Sequence, residues 1–181
     1  MHPRIAELLD YVDAQRTNLR TVVDAIPSWK YDRTPPGGGW TIRDVLEHLS
    51  IVEPRIATVI RQTTTEARTT GIALETETDS ILRSINLNEF LDRSRRIDAP
   101  NGIKPTSNLE LPALWDALAA SRTELRDAVM AADGLALGAL SFPHRIFGPM
   151  DLYTWIAFVG AHETRHADQI REIGASLDAL A

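Results

Sequence analysis

The chain has 181 residues, 44% hydrophobic and 24% charged, with 19 basic and 25 acidic side chains, a net charge of -6 and no cysteine. That length and composition fit one globular domain with a substantial core. The lack of cysteine excludes disulfides, thiolate metal sites and a cysteine nucleophile, and the interspersed charge leaves nucleic-acid binding without its main driving force.

The N-terminus, Met1-His2-Pro3-Arg4, leads into an amphipathic pattern carrying Glu7, Asp10 and Asp13 rather than an apolar leader, and no apolar run approaches the ~20 residues of a membrane span. The expectation is a cytoplasmic protein. Residues 4–26 read as a first helix, with Ile5, Leu8, Leu9, Val12, Leu19, Val22, Val23 and Ile26 on one face and Pro27 after it. Gln15 and Arg16 interrupt that stripe. They are read as side chains reaching past the core edge, or else Gln15 faces a polar site inside the molecule. The Gly37-Gly38-Gly39 triplet follows no strand and lacks phosphate-loop spacing, so it is read as a flexible lead-in.

The second helix has a well-defined start. Thr41 suits the N-cap, Asp44 the capping box, and Trp40 can staple onto Val45. Its inward stripe is Val45, His48, Leu49, Val52, Ile56, Val59 and Ile60, with Pro54 expected to kink it after His48. Over residues 61–80 the helical pattern fades, a short helical piece is expected over 88–95, and 97–107 reads as loop. The whole forms a long crossover. A third long helix over 109–132 places Leu111, Leu114, Trp115, Leu118, Leu125 and Val129 on one face, with Ser107 and Glu110 as a capping-box pair. Arg122 lies within that stripe. It is read as an aliphatic stem with its guanidinium outside, the alternative being an anion-binding group facing the interior. No segment alternates like a strand, and Pro149 and Asp151 suit the first turn of a fourth helix running to about residue 174. Four amphipathic helices and one long connection between the second and third predict an all-α four-helix bundle, with residues 1–181 as a single domain.

The fourth helix carries the chemistry. Its inward phase runs Trp155, Phe158, Val159, His162, His166, Ile170 and Ile173. Histidines four apart share a helix face about 6 Å apart along the axis, close enough to grip one ion. With His48 on the inner face of the second helix, they form a candidate three-nitrogen metal site. The pair also spells the H-E-x-x-H motif of zinc metallopeptidases, with Glu163 as general base. Gln169 and Glu172, however, stand where one such class has its glycine and third histidine, and no strand is expected that could hold a peptide. Glu163 and Glu47 adjoin candidate ligands but point about 100° away around their helices, so neither is assigned catalysis. Asp44 and Gln169 are candidate hydrogen-bond partners for the ligating rings, and Gln15 and Arg122 are candidate pocket residues.

The run Gly39-Trp40-Thr41-Ile42-Arg43-Asp44-Val45-Leu46-Glu47-His48-Leu49 resembles an N-terminal segment of the DinB/YfiT-like superfamily. Phe147-Gly148-Pro149-Met150-Asp151-Leu152-Tyr153-Thr154-Trp155, followed by His162-Glu163-Thr164-Arg165-His166 and Gln169-Ile170, is similar to its closing segment. The resemblance implies a four-helix bundle with a long crossover, a metal held by His48, His162 and His166, and a homodimer. For function it implies a transferase using a low-molecular-weight thiol, or a metal-dependent hydrolase, acting on a small molecule. Members often carry His-Pro where this chain has Pro143-His144-Arg145, so His144 is read as loop rather than ligand. Three imidazoles suit zinc or nickel, and also iron. A non-catalytic module with the metal as a structural strut is the reading from another class. An open coordination position beside a pocket separates catalysis from that alternative.

Overall fold

The computed structural model describes residues 1–94, 97–106 and 109–178. Helix α1 spans Pro3–Asp24, with proline in the first turn where its missing N–H costs nothing, and His2 Nδ1 accepts the Arg4 N–H. Helix α2 spans Ile42–Thr70 and opens on the predicted capping box. Thr41 Oγ1 accepts the Asp44 N–H at 3.1 Å, and Asp44 Oδ2 accepts the Thr41 N–H at 2.9 Å. Beyond residue 60, where the sequence pattern fades, α2 continues for further turns. Thr64, Thr65 and Thr70 hydroxyls bond back to carbonyls of the preceding turn, and Gly71 closes the helix at φ 87°, a left-handed conformation suited to glycine.

The crossover carries a short helix, α3, over Asn88–Leu91. Helix α4 spans Leu111–Ala131 with Glu110 at its N-cap and Pro112 in its first turn. Glu110 makes no side-chain capping bond, and the expected partner Ser107 lies outside the described residues. Helix α5 spans Leu152–Asp178.

One expectation is corrected here. Residues 141–151 form a hairpin of strands β1, Ser141–His144, and β2, Gly148–Asp151, so Pro149 belongs to a strand and not to a helix start. Gly148, at φ 75°, completes the tight turn opposite His144. Of the eight residues in the two strands Met150 alone is buried, so neither strand shows the inside-outside alternation that marks a strand in sequence. Asp151 keeps its expected place at the helix start, where its Oδ1 accepts the Thr154 N–H at 2.8 Å. Trp155 Nε1 donates to the Phe142 carbonyl at 3.0 Å and holds the hairpin against α5.

In the bundle α2 packs along α4 and α1 along α5. The core is in two apolar parts. One contains Ile5, Leu8, Val12, Ile56, Leu125 and Phe158, and the other contains Leu19, Val45, Leu49, Leu118, Ala167 and Ile170. Between them lies a layer of buried charge to which each long helix contributes. Glu53 of α2 accepts from Arg122 Nε at 2.6 Å, Arg16 Nη2 at 2.6 Å and Ser121 Oγ at 2.5 Å. Glu163 Oε1 of α5 accepts from Arg16 Nε at 2.6 Å and Arg122 Nη2 at 3.0 Å. Each arginine also reaches a backbone carbonyl, Leu118 for Arg16 and Val12 for Arg122.

Arg122, 7% exposed, therefore does not place its guanidinium outside. Burial opposes its charge, but the adjacent Glu163 and Glu53 carboxylates outweigh that and hold its pKa above the ordinary value. Glu163 shows the opposite balance. Burial raises its pKa, only partly countered by Arg16 and Arg122.

Candidate metal centre

His48 comes from the second turn of α2, and His162 and His166 come from the middle of α5. Nε2 of His162 lies 3.4 Å from Nε2 of His48 and 3.0 Å from Nε2 of His166. One ring nitrogen from each of the three lies within 4.8 Å of the others. Two nitrogens about 2.1 Å from a shared ion are about 3.0 Å apart at a right angle and about 3.4 Å apart at the tetrahedral angle. Both separations therefore suit edges of a coordination polyhedron.

The hydrogen bonds on the far sides of two rings fix what their near sides offer. His48 Nδ1 lies 2.7 Å from the Ile103 carbonyl, which can only accept, so Nδ1 carries the proton and Nε2 presents a lone pair. His166 Nδ1 lies 2.8 Å from Gln169 Oε1 and is set in the same way. His162 can donate to at most one of the two Nε2 atoms facing it, so at least one of these lone pairs is left without a donor from the trio. A cation resolves that arrangement. Burial lowers the pKa of all three rings. His48 is partly restored by the Ile103 bond, His162 is pushed well down by burial and then by His166 and His48, and His166 is pushed down to about 3 by burial and then by His48. Three neutral imidazoles form the donor set a divalent ion takes.

The rings open onto a cleft of about 1030 Å³. Trp40 forms one edge, its ring 4.8 Å from His48 and 6.3 Å from His166. An aromatic wall of Phe90, Phe147, Trp155 and Phe158 leads away from the metal corner, and Phe158 stacks on His162 at 5.2 Å. The crossover closes the opposite side with Ile97, Pro100, Ile103 and Lys104. It is fastened to α2 at successive points, through Arg55 to the Gly102 carbonyl, His48 to the Ile103 carbonyl, and Thr106 N–H to Glu47 Oε1 at 3.0 Å. The rim carries Arg55, Arg93, Lys104 and Arg165 against Asp98 and Glu172, an excess of positive side chains in a chain of net charge -6.

The other predicted site residues lie elsewhere. Asp44 serves the Thr41 cap, and the Ile103 backbone is the partner on His48. Gln15 accepts from Thr164 Oγ1 at 2.9 Å and does not line the cleft, and Arg122 belongs to the buried ion layer. Glu163, 2% exposed and held by Arg16 and Arg122, also does not line the cleft, so the metallopeptidase spelling lacks its general base. His144, expected in a loop, sits in β1 and lines the cleft. Its ring centroid is 5.1 Å from both Trp155 and Phe158, and burial lowers its pKa.

The sequence matches the DinB superfamily over residues 11–170. The chain belongs to the DinB superfamily. It is 23% identical over 157 residues to the uncharacterized protein YuaE of Bacillus subtilis (strain 168), a match covering 82% of this chain and 86% of YuaE. Its fold is that of TT2238, described as a four-helix bundle protein, with a TM-score of 0.61 at 19% identity, covering 93% of this chain and 98% of that one. Family and architecture thus agree with the all-α bundle and long crossover of this DinB protein. Among the described residues, no helix is long and apolar enough to cross a membrane.

Proposed function

We propose that this DinB protein is a metal-dependent enzyme that transfers a low-molecular-weight thiol to a small electrophile, with His48, His162 and His166 as the ligands of one divalent ion, zinc or nickel. The observation that carries this is the convergence of three neutral ring nitrogens at the end of a large open cleft. A structural strut calls for a closed ligand set, whereas here the potential ligand group among the described residues has three members and faces open space. A divalent ion held there would supply Lewis-acid activation, making a thiol or a water nucleophilic near neutral pH.

The walls of the cleft favour thiol transfer over hydrolysis. The cationic rim of Arg93, Lys104 and Arg165 suits an anionic cosubstrate, and the facing aromatic wall suits an apolar one. Two unlike walls fit two unlike substrates. In the transfer the thiolate sulfur forms a new S–C bond, the leaving group departs with its bonding pair, and the thiol proton goes to solvent. Ile103 and Gln169 keep the ring protons on Nδ1 of His48 and His166, so Nε2 remains available as the ligand.

Metal analysis of the purified protein beside His48→Ala, His162→Ala and His166→Ala tests the ligand set. The wild type is expected to hold one ion per chain and each variant to lose it, and undiminished metal in a folded variant sinks the assignment. Incubation of metal-loaded protein with bacillithiol, mycothiol or glutathione and a chlorinated electrophile then tests the reaction. Metal-dependent thioether formation is the expected product. Hydrolysed electrophile with thiol unconsumed points to the hydrolase instead.

A further inference from the structure

His144 is a polar side chain set in the aromatic wall of the cleft, and the metal corner does not use it. Its Nδ1 accepts two backbone donors of the hairpin turn, the Ile146 N–H at 3.1 Å and the Phe147 N–H at 3.3 Å. An imidazole nitrogen accepting two N–H bonds carries no proton, so in the neutral ring the proton is on Nε2. The turn therefore fixes the tautomer. Nε2–H has no hydrogen-bond partner among the described residues, although the ring is half-buried and lines the cleft. Three aromatic rings hold it in place, Phe147 at 4.8 Å and Trp155 and Phe158 at 5.1 Å between centroids. Phe158 in turn stacks on His162, which puts the metal corner beyond that shared ring. A polar group this well oriented, with one end satisfied and the other facing a cleft, has the form of a binding-site donor.

We propose that His144 donates an Nε2–H hydrogen bond to an oxygen acceptor of the substrate, fixing the orientation of an apolar, ring-bearing electrophile against Phe147, Trp155 and Phe158. The ligand class follows from the surroundings. The aromatic wall takes a ring or branched apolar group, and a lone N–H in that wall selects a carbonyl, carboxylate or nitro oxygen. His144 is then a substrate-binding residue and not a metal ligand, and the assignment rests on the reading of the three-histidine site as a metal centre.

The test uses the zinc-loaded full-length protein and two probes, benzohydroxamate, which brings a ring and oxygens, and imidazole, which needs only the ion. His144→Asn keeps an acceptor near the Nδ1 position for the turn amides and withdraws the donor, while His144→Gln places an amide N–H near the Nε2 position. The expected result is benzohydroxamate binding weakened about tenfold in His144→Asn and largely restored in His144→Gln, with imidazole affinity unchanged in both. Nitrogen-15 spectra of the wild type are expected to show His144 protonated on Nε2. Equal benzohydroxamate affinity in wild type and His144→Asn overturns the donor role alone. Parallel loss of both probes overturns it in favour of a packing role, as does a proton found on Nδ1. Wild-type protein that takes up no zinc overturns the metal reading and this assignment with it.

Discussion

One turn of α5 carries two polar clusters of opposite character. Glu163 turns inward to a layer in which the charges of Arg16, Arg122, Glu53 and Glu163 balance, and within that layer only Glu163 Oε2 has no hydrogen-bond partner among the described residues. His162 and His166 turn the other way, to a cluster of ring nitrogens that face one another with too few protons to satisfy them. Both break the apolar stripe that the helix needs to fold. The difference teaches how to tell a polar group kept for the fold from one kept for chemistry. Where partners converge from all sides the group is sealed, and where acceptors converge on open space something is meant to enter.

The comparison breaks most sharply at Arg122. Removing one member of a buried ion cluster leaves uncompensated charge, which costs about 3–5 kcal/mol, and without Arg122 the two acids Glu53 and Glu163 share Arg16 alone. Arg122→Met keeps much of the stem volume and exposes Glu53 and Glu163 to that penalty. The expected outcome, read by urea unfolding, is a loss of that size with metal stoichiometry intact. A loss below about 1 kcal/mol, or loss of metal without loss of stability, contradicts the division of roles.

Acid separates the two clusters in another way. The folded chain holds His48, His162 and His166 neutral, with pKa values lowered from 6.5, whereas in the unfolded chain they titrate near 6.5. Below about pH 6.5 the unfolded state therefore binds more protons, so the stability of the metal-free protein falls as pH falls, from about 6.5 down towards the value near 3 of His166. Each imidazole contributes up to about 1.4 kcal/mol per pH unit in that window. Unfolding midpoints at pH 7.5 and 5.5 check this. The drop is expected to shrink in His166→Asn, and a flat profile in the wild type contradicts it.

How much of this was legible in the sequence depended on whether a side chain carried the signal. The inward stripes of α1, α2, α4 and α5 announced themselves by period, and so did the Thr41–Asp44 cap and the shared face of His162 and His166. Arg16 and Arg122 were visible as interruptions, but one long cation in a stripe looks like a side chain leaving the core. The missing clue was the matching pair of acids, Glu53 and Glu163, at the same level on the other two helices. The partner of His48 left no trace because it is the Ile103 backbone carbonyl, and every residue has one. The short hairpin shows no alternation of apolar and polar residues, so nothing in the sequence placed His144 in the cleft.

Those two kinds of partner also set the smallest effect expected at the site. A hydrogen-bond partner of a ligating histidine orients the ring and raises its basicity, and losing one costs about 10–100-fold in metal affinity. Gln169→Leu removes the acceptor on His166 Nδ1 and is expected to weaken zinc binding within that range while leaving stability nearly unchanged, since the side chain is only half-buried. Gln169→Glu keeps an acceptor there and is expected to bind at least as tightly as the wild type. Competition with a chelator of known affinity reads both. Equal affinity in Gln169→Leu and the wild type contradicts the role given to that bond. The effect is bounded because the other oriented ring is beyond the reach of such a change. His48 is held by the crossover backbone, so its orientation survives any side-chain substitution that leaves the strap in place, and half of the ring alignment persists in Gln169→Leu.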